Sequence, residues 1–157
     1  MTQTQVLYGE RLGKQGKLRI GCSAIIFDEK NEKVLLTRRA DNGRWCLPGG
    51  AMESGESAAE ACEREVLEET GLTVRVKRLI GVYSNPDQLV IYPDGTKAFF
   101  VVLSFEAEIM DGEPTLSDET TDFGYFSISE MENMPMHGHH KQRVEDVLAM
   151  TGEALIK

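Results

Sequence analysis

Acidic side chains are concentrated between residues 51 and 70 of the chain. Seven glutamates lie there against one base, Arg64, so the stretch holds a net charge of −6 out of −9 for the whole chain. If the stretch is helical, Glu65, Glu68 and Glu69 fall within about 100° of one another around its axis. Like charges at such spacings repel by roughly 0.2–0.5 kcal/mol per pair, and hard divalent cations prefer carboxylate oxygens as ligands. The cluster therefore indicates either a metal site for phosphate chemistry or an ordinary solvated helix face.

A helix is predicted to position these carboxylates. Ser57 is a good N-cap, and Glu60 follows it by three residues, as in a capping box. No Gly or Pro interrupts the segment before Gly71, which is a natural helix end because glycine tolerates the left-handed conformation. The stripe expected to face the core contains Ala59, Cys62 and Val66.

Strands are predicted on both sides of this helix in the sequence. Residues 19–28 and 33–39 have the pattern of a hairpin, joined by a turn at 29–32. Residues 73–84 alternate as a partly buried strand, with Val74, Val76, Leu79 and Val82 inward. Residues 98–109 are the most apolar segment and are expected to form a central strand.

The C-terminal part is predicted to end in a helix. A strand is expected at 123–128, a short helical turn at 129–134, and a closing helix at 138–150. Its inward side chains are expected to be Val144, Val147 and Leu148. The histidines of the sequence MHGHH lack the paired spacing of a metal site, so metal binding by them is the weaker interpretation.

The order of residues from Gly50 to Leu72 resembles the signature of the Nudix hydrolase family. That signature is a glycine, five residues, a glutamate, seven residues, Arg-Glu, an aliphatic, any residue, Glu-Glu, any residue, glycine and an aliphatic. All nine specified positions match, and they are Gly50, Glu56, Arg64, Glu65, Val66, Glu68, Glu69, Gly71 and Leu72.

The resemblance implies an α+β fold, a Nudix-type α/β/α sandwich with a mixed central sheet. It also implies that Glu65, Glu68 and Glu69 bind Mg²⁺ or Mn²⁺, joined by the backbone carbonyl of Gly49. Glu56 and Arg64 match the pair that braces the loop against the catalytic helix. The activity implied is Mg²⁺-dependent hydrolysis of a nucleoside diphosphate linked to another group, such as ADP-ribose or a nucleotide sugar.

Two other functions stay open. One is a sanitising nucleoside triphosphate pyrophosphohydrolase of the MutT type. The other is a nucleotide-sensing module that keeps the fold without turnover, although a pure binder has less need for all three helix acids. A residue about sixteen positions beyond the signature is often diagnostic of the subfamily, and here that position lies near Gln88, with Pro86 slightly early.

Several residues are candidates for contact with a substrate. Arg38 and Arg39 end a strand near the glycine loop, where a guanidinium fork suits phosphate oxygens, although a solvated strand end is the alternative. Tyr83 and Tyr92 could stack a base, but strand tyrosines are more often half-buried packing residues. Trp45 is expected to pack in the core rather than to stack a base.

The general base is expected among the carboxylates. Many relatives take a further catalytic glutamate from a loop just before an aromatic strand, and Glu119 is the candidate here, as base or extra metal ligand. Asp122 is second, and Glu68 of the helix is the other candidate base. The alternative for the loop acids is simple solvation.

Length and composition fit one domain. The chain has 157 residues with 41% hydrophobic content, enough for one sizeable core. Residues 1–17 are polar and are expected to form a loose lead-in or an edge strand, before a single Nudix domain at 18–157.

Composition also excludes several classes of protein. No apolar run approaches the roughly 20 residues that span a bilayer, and no signal peptide is recognisable. Three widely spaced cysteines argue against a disulfide framework or zinc site, so we expect a cytoplasmic protein without a membrane partner. The net charge of −9 disfavours long nucleic acid but permits a small, metal-bridged nucleotide substrate. The resemblance also allows a homodimer.

Overall fold

A computed structural model describes residues 3–150 and 152–157 of the chain. Its strands are β1 (Gln5–Tyr8), β2 (Lys17–Ile25), β3 (Val34–Arg39), β4 (Trp45–Cys46), β5 (Gly49–Ala51), β6 (Thr73–Tyr83), β7 (Gln88–Ile91), β8 (Lys97–Asp111), β9 (Thr120–Phe126) and β10 (Leu155–Ile156). Its α-helices are α1 (Ala58–Thr70), α2 (Ile128–Met131) and α3 (His140–Ala149), with a 3-10 turn at Leu12–Gln15. Among these described residues, no helix is long and apolar enough to cross a membrane.

The larger sheet is mixed and is organised around β8. This strand pairs in parallel with β2 and antiparallel with β6 and β7. The sheet continues from β7 to the edge strand β1, and from β2 to the short strand β5. The apolar segment 98–109 is therefore a central strand, as predicted, and residues 5–8 of the polar N-terminal stretch form an edge strand.

Two cores flank the strands because successive side chains of a strand point to opposite faces. Ala24 of β2 and Ile26, which directly follows the strand, pack with Cys62 and Val66 of α1. Ile25, between them, packs on the other side in a second core, which also contains Met131 of α2 and Val144 and Val147 of α3. Helices thus cover both faces, and the predicted α+β sandwich with a mixed sheet is confirmed.

The predicted hairpin of residues 19–28 and 33–39 is wrong as a pairing of strands. β2 and β3 meet only at a bridge between Phe27 and Val34 near the turn. Beyond it, β5 and β8 occupy the two hydrogen-bonding edges of β2, which leaves no edge for β3. β3 instead pairs with β4 and β9 in a smaller sheet.

Helix α1 has the predicted ends but a rotated core face. The Ser57 hydroxyl accepts a hydrogen bond from the Glu60 amide at 3.1 Å, and Gly71 ends the helix at φ 77°. Ala61, Cys62 and Val66 are fully buried, whereas Ala59 is only half-buried, so Ala61 replaces Ala59 in the stripe. A complete capping box is recorded at Ser127 and Glu130 of α2.

The closing helix differs from prediction at one side chain. Val144 and Val147 are buried, but Leu148 is 50% exposed. Leu148 follows Val147 by one position, about 100° around the helix, so the two cannot both face the sheet. Trp45 packs in the second core against Phe126, with ring centroids 4.9 Å apart, which confirms its predicted core role.

Candidate active site

A cavity of about 760 Å³ opens between the acidic face of α1, strand β5 and the loop before β9. The helix contributes Glu65, Glu68 and Glu69 to its wall, and the loop contributes Asp118 and Glu119. Carboxylates distant in the sequence therefore line the same cavity.

Two glycines bring β5 close to α1. Gly49 and Gly50 pair with Ser23 and Cys22 of β2, which fixes the strand in the sheet. A Cβ atom on Gly50 would overlap the carboxylate of Glu65. The absence of a side chain at this position therefore gives the Glu65 carboxylate its space.

The amide of Gly49 contacts the last helix carboxylate. It donates to Glu69 Oε2 over 3.3 Å. The resemblance to the family implies that the Gly49 carbonyl binds metal, and that role stays a prediction. The observed contact orients Glu69 toward the strand and the cavity.

Arg64 fastens the acidic loop to the helix. Its guanidinium donates to both oxygens of Glu56, at 2.9 and 2.8 Å, and to the carbonyl oxygen of Ala51 at 3.1 Å. Such a fork is stronger and more directional than a single hydrogen bond. Hydrogen bonds from Arg64 lower the pKa of Glu56 to about 2. The arrangement agrees with the positioning role predicted for this pair.

Arg64 also reaches two of the predicted metal ligands. Its Nη1 lies 3.0 Å from Glu65 and 3.2 Å from Glu68. The Glu68 side chain is 59% exposed, whereas that of Glu65 is only 15% exposed. One guanidinium therefore partly balances two of the clustered charges.

The folded protein disfavours the ionised form of Glu69. Burial raises its pKa to about 8; the Gly49 amide opposes this shift, and the charges of Glu65 and Glu119 add to it. Burial likewise raises the pKa of Glu65, against the effect of Arg64. A cation between these carboxylates would remove the repulsion.

The donor set fits a hard divalent ion. Within residues 3–150 and 152–157, no three His, Cys, Asp or Glu side chains form a ready-made metal cage. Mg²⁺ is seldom held by an all-protein cage, since it usually takes one or two carboxylates and completes its shell with water and substrate phosphate. Glu65 and Glu69, with Glu68 and Glu119 nearby, match this coordination preference.

The predicted base residues lie in different surroundings. Glu119 is exposed and lines the cavity, and its backbone carbonyl accepts from the Ala40 amide at 2.9 Å. Asp122 is exposed on β9, pairs in register with Arg38 and does not line the cavity. The geometry thus brings Glu119, and not Asp122, to the helix carboxylates.

The predicted substrate residues separate into two groups. Arg39 and Tyr92 line the cavity, and Arg39 is held by the carboxylate of Asp41 at 2.9 and 2.7 Å. Arg38 points elsewhere, because neighbouring side chains of a strand alternate, and its Nε donates to the Gly43 carbonyl at 3.0 Å. Arg38 therefore does not line the main cavity, and its predicted contact with a substrate there is wrong.

Tyr83, also predicted to contact a substrate, does not line the main cavity either. Its hydroxyl donates to Asp146 at 2.8 Å, and its ring lines a smaller adjoining cavity of about 270 Å³. Gln88, near the position that the resemblance marks as diagnostic, lines both cavities.

Sequence reasoning considered the histidines of MHGHH only as a metal site and did not predict that His137, His140 and Arg143 line the cavity. His137 and His140 line it with rings 5.5 Å apart, and burial lowers the pKa of His137 to about 4. His140 Nδ1 accepts from the Leu47 amide at 2.9 Å, so it anchors the segment before the glycines. Arg143 of α3 is the third, and no sequence motif marks it as a site residue. The sequence feature that could have indicated these residues is the group of histidines and an arginine at and just before the closing helix.

Known proteins share this sequence and architecture. A sequence profile of the NUDIX domain matches residues 17–147. An ADP-ribose pyrophosphatase of Methanocaldococcus jannaschii is 32% identical over 123 residues, which are 76% of this chain and 68% of that protein. A MutT-like protein of Streptomyces ambofaciens is 37% identical over 99 residues, which are 63% of this chain and 58% of that protein. The crystal structure of the MutT protein from Methanosarcina mazei Go1 superposes with a TM-score of 0.70 at 26% identity, covering 87% of this chain and 99% of that one.

These similarities coincide with the geometry of the site. The matched region 17–147 includes β2, β5, the whole of α1 and the loop that carries Glu119. The profile covers well over half of the chain, and the archaeal relative matches most of it. The chain is a member of the Nudix hydrolase family, enzymes that act on phosphorus-containing acid anhydrides.

Proposed function

We propose that this enzyme hydrolyses the pyrophosphate bond of a nucleoside diphosphate linked to another group, with Mg²⁺ or Mn²⁺ as its cofactor. The observation that carries the proposal is that Glu65, Glu69 and Glu119 line one cavity, where burial and then the charges of Glu65 and Glu119 raise the pKa of Glu69. Repelling carboxylates in a partly buried site are well suited to a divalent ion and the phosphates that it bridges.

Glu65 and Glu69 would hold the ion, with Glu68 as a further ligand. When bound, it would neutralise phosphate oxygens and make the attacking water more acidic. Arg64 keeps Glu65 and Glu68 in place through contacts of 3.0 and 3.2 Å. Arg39, held by Asp41, would contact a substrate phosphate with the remaining donors of its guanidinium.

Glu119 would act as the general base. It lies in the cavity wall and is exposed to water, whereas the Glu68 carboxylate is engaged with Arg64. In the reaction, the water oxygen attacks one phosphorus, its proton passes to Glu119, and the bond to the bridging oxygen breaks. The products are a nucleoside monophosphate and a phosphorylated remainder.

An ADP-ribose-like or nucleotide-sugar substrate is favoured by two observations. The cavity of about 760 Å³ lies in the range that encloses a molecule of this size. The archaeal relative with the longest alignment among those reported above is an ADP-ribose pyrophosphatase.

A substrate panel tests the proposal. Purified protein would be incubated with ADP-ribose, nucleotide sugars, dinucleotides and nucleoside triphosphates in millimolar Mg²⁺, with products identified by ³¹P NMR. We expect a nucleoside monophosphate and a sugar phosphate from the linked diphosphates. Release of inorganic pyrophosphate from triphosphates alone would favour a sanitising enzyme, and no turnover of any member would favour a nucleotide sensor.

A further inference from the structure

Arg143 is a buried cation without a counter-ion. Its residue is 6% exposed, and its Nε atom has no hydrogen-bond partner. The contact recorded for its guanidinium is a hydrogen bond of 3.4 Å from Nη1 to the Ser23 hydroxyl. Within the described ranges 3–150 and 152–157, Arg143 takes part in no ion pair. A guanidinium offers five N–H donors, so most of its capacity is unused.

Burying such a group is costly unless a partner balances it. An unpaired charge taken out of water loses its hydration, and an unmade hydrogen bond adds to the loss. Asp146, three residues further along α3, is occupied, since it accepts from Tyr83, Gln142 and Lys157. Tyr83 provides only a ring, whose centroid lies 5.5 Å from the guanidinium carbon. The position is therefore better suited to an anion from outside the chain than to a structural role.

The location of Arg143 connects it to the carboxylate cluster. Ser23 pairs in register with Gly49, and the Gly49 amide contacts Glu69. Ser23 and Gly49 therefore lie between Arg143 and Glu69, as a continuous series of contacts across β2 and β5. A substrate phosphate bound at Arg143 would thus lie in the same cavity as a metal ion held at Glu65 and Glu69.

Arg143 also lies at the junction of two cavities. It lines the main cavity of about 760 Å³ and the adjoining one of about 270 Å³. The smaller cavity has the aromatic side chains of Tyr83, Phe99 and Phe100 in its wall, and Gln88 adds an amide. Aromatic faces with a few hydrogen-bonding groups are what a nucleobase requires.

We propose that Arg143 binds the phosphate of the nucleoside monophosphate half of the substrate, whose purine base enters the smaller cavity. This inference rests on the proposed function for its orientation, because it assigns the nucleotide half to the α3 side of the cleaved bond. The other half of the substrate then lies in the main cavity toward Arg39 and Tyr92.

The test is a binding measurement without metal or turnover. AMP, GMP, adenosine and inorganic phosphate would each be titrated into the wild-type protein by calorimetry in EDTA. We expect a nucleoside monophosphate to bind more tightly than adenosine or phosphate alone. Arg143→Met should weaken that binding by about tenfold or more, as the loss of a charge-assisted hydrogen bond would, and should bring its affinity close to that of adenosine.

Two further variants make the result specific. Arg143→Lys keeps the charge without the fork and should retain part of the preference for the monophosphate. Arg19→Met is the matched control, because Arg19 lies over the Phe100 ring at 5.7 Å but lines neither cavity, and it should bind like wild type. The melting temperature of unliganded Arg143→Met should equal or exceed that of wild type, since an unpaired buried charge is removed.

The outcomes separate this inference from the proposed function. If Arg143→Met retains the wild-type preference for AMP or GMP over adenosine, or if wild type binds neither monophosphate in EDTA, the nucleotide site is wrong. If the monophosphate binds through Arg143 but no linked diphosphate is hydrolysed with Mg²⁺, the site stands and the proposed activity fails. A raised KM with unchanged kcat in Arg143→Met would support both.

Discussion

At the scale of single residues, Glu69 is a carboxyl group of the proposed metal site whose ionised form the folded protein disfavours. Burial raises its pKa from 4.5 to about 8, and Glu65 and Glu119 reinforce the shift. A carboxyl group whose pKa is higher in the folded protein favours folding when protonated. The metal-free protein should therefore lose stability as the pH rises from about 4.5 to about 8.

Glu69→Gln tests the role of this residue in turnover and its effect on the stability of the metal-free protein. It should lower turnover by about 100-fold or more, because it removes a ligand charge from a partly buried site. It should also raise the melting temperature of the metal-free protein near pH 8, because the repulsion disappears. Activity assays and thermal unfolding in EDTA would measure the two effects.

The matched control is Glu60→Gln. Glu60 is an exposed glutamate in the first turn of the same helix and does not line the cavity. Its replacement should leave turnover near the wild-type value. Near-normal turnover in Glu69→Gln would contradict the assignment of this side chain to the ion.

His137 gives a pH dependence of the opposite sign. Its pKa falls from 6.5 to about 4, first because of burial and then because of Arg39. The unfolded chain therefore binds the proton more readily, so folding stability is present above about pH 6.5 and is lost as the pH falls toward 4. His137→Gln should make the melting temperature depend less steeply on pH in this window. An unchanged slope would mean that the ring remains accessible to protons in the folded state.

At the scale of elements, strand β5 depends on two adjacent glycines, Gly50 for its approach to helix α1 and Gly49 for its pairing with β2. A Cβ on Gly50 would meet the end of a flexible side chain, the Glu65 carboxylate. A Cβ on Gly49 would meet backbone instead, at the Cys22 carbonyl and Ser23. A side chain can move at low cost, but the strand backbone is fixed in its ladder.

The same substitution at these neighbouring positions should therefore have different effects. Gly50→Ala should fold with nearly normal stability but lose most activity, since Glu65 must leave its place. Gly49→Ala should lower the melting temperature strongly, because β5 must separate from β2. Circular dichroism and an activity assay on both variants would measure this, and equal behaviour of the pair would contradict the argument.

The elements also show where local sequence patterns are sufficient. The ends of α1 at Ser57 and Gly71 followed from capping preferences, which depend on the nearest few residues. The hairpin of β2 and β3 was wrongly predicted because strand pairing depends on which edges other strands occupy. Here the three-residue strand β5 takes the edge of β2, and so short a segment has no hydrophobic period to reveal it.

At the scale of the whole molecule, the two halves of the site differ in how they are encoded. Glu65, Glu68 and Glu69 lie within five residues of one another, so helical geometry alone predicts that they converge. Arg143 reaches Ser23 across 120 positions of sequence, and His137 meets Asn42 across 95. Only the packing of α3 against the sheets creates those contacts. The convergence of the helix carboxylates was therefore predictable from the sequence, whereas the position of Arg143 and His137 was not.

The sandwich itself explains why the carboxylates can remain clustered. Cys62 and Val66 of α1 are fully buried against β2, and the Arg64 fork fastens the loop to the helix. The core holds the helix in place, so repulsion among the acids cannot be relieved by moving the backbone. In the proposed function, a divalent ion would relieve the repulsion that Arg64 leaves.

The most direct test of this account is a titration of metal-free protein with Mn²⁺, followed by the EPR signal of the free ion. Wild type should bind Mn²⁺ saturably, with affinity increasing as the pH rises toward 8, and Mg²⁺ should compete for the site. Glu69→Gln should bind the ion much more weakly, and Glu60→Gln should match wild type. If the Mn²⁺ stays free at millimolar concentrations, or if Glu69→Gln binds it as well as wild type does, these carboxylates do not form the metal site.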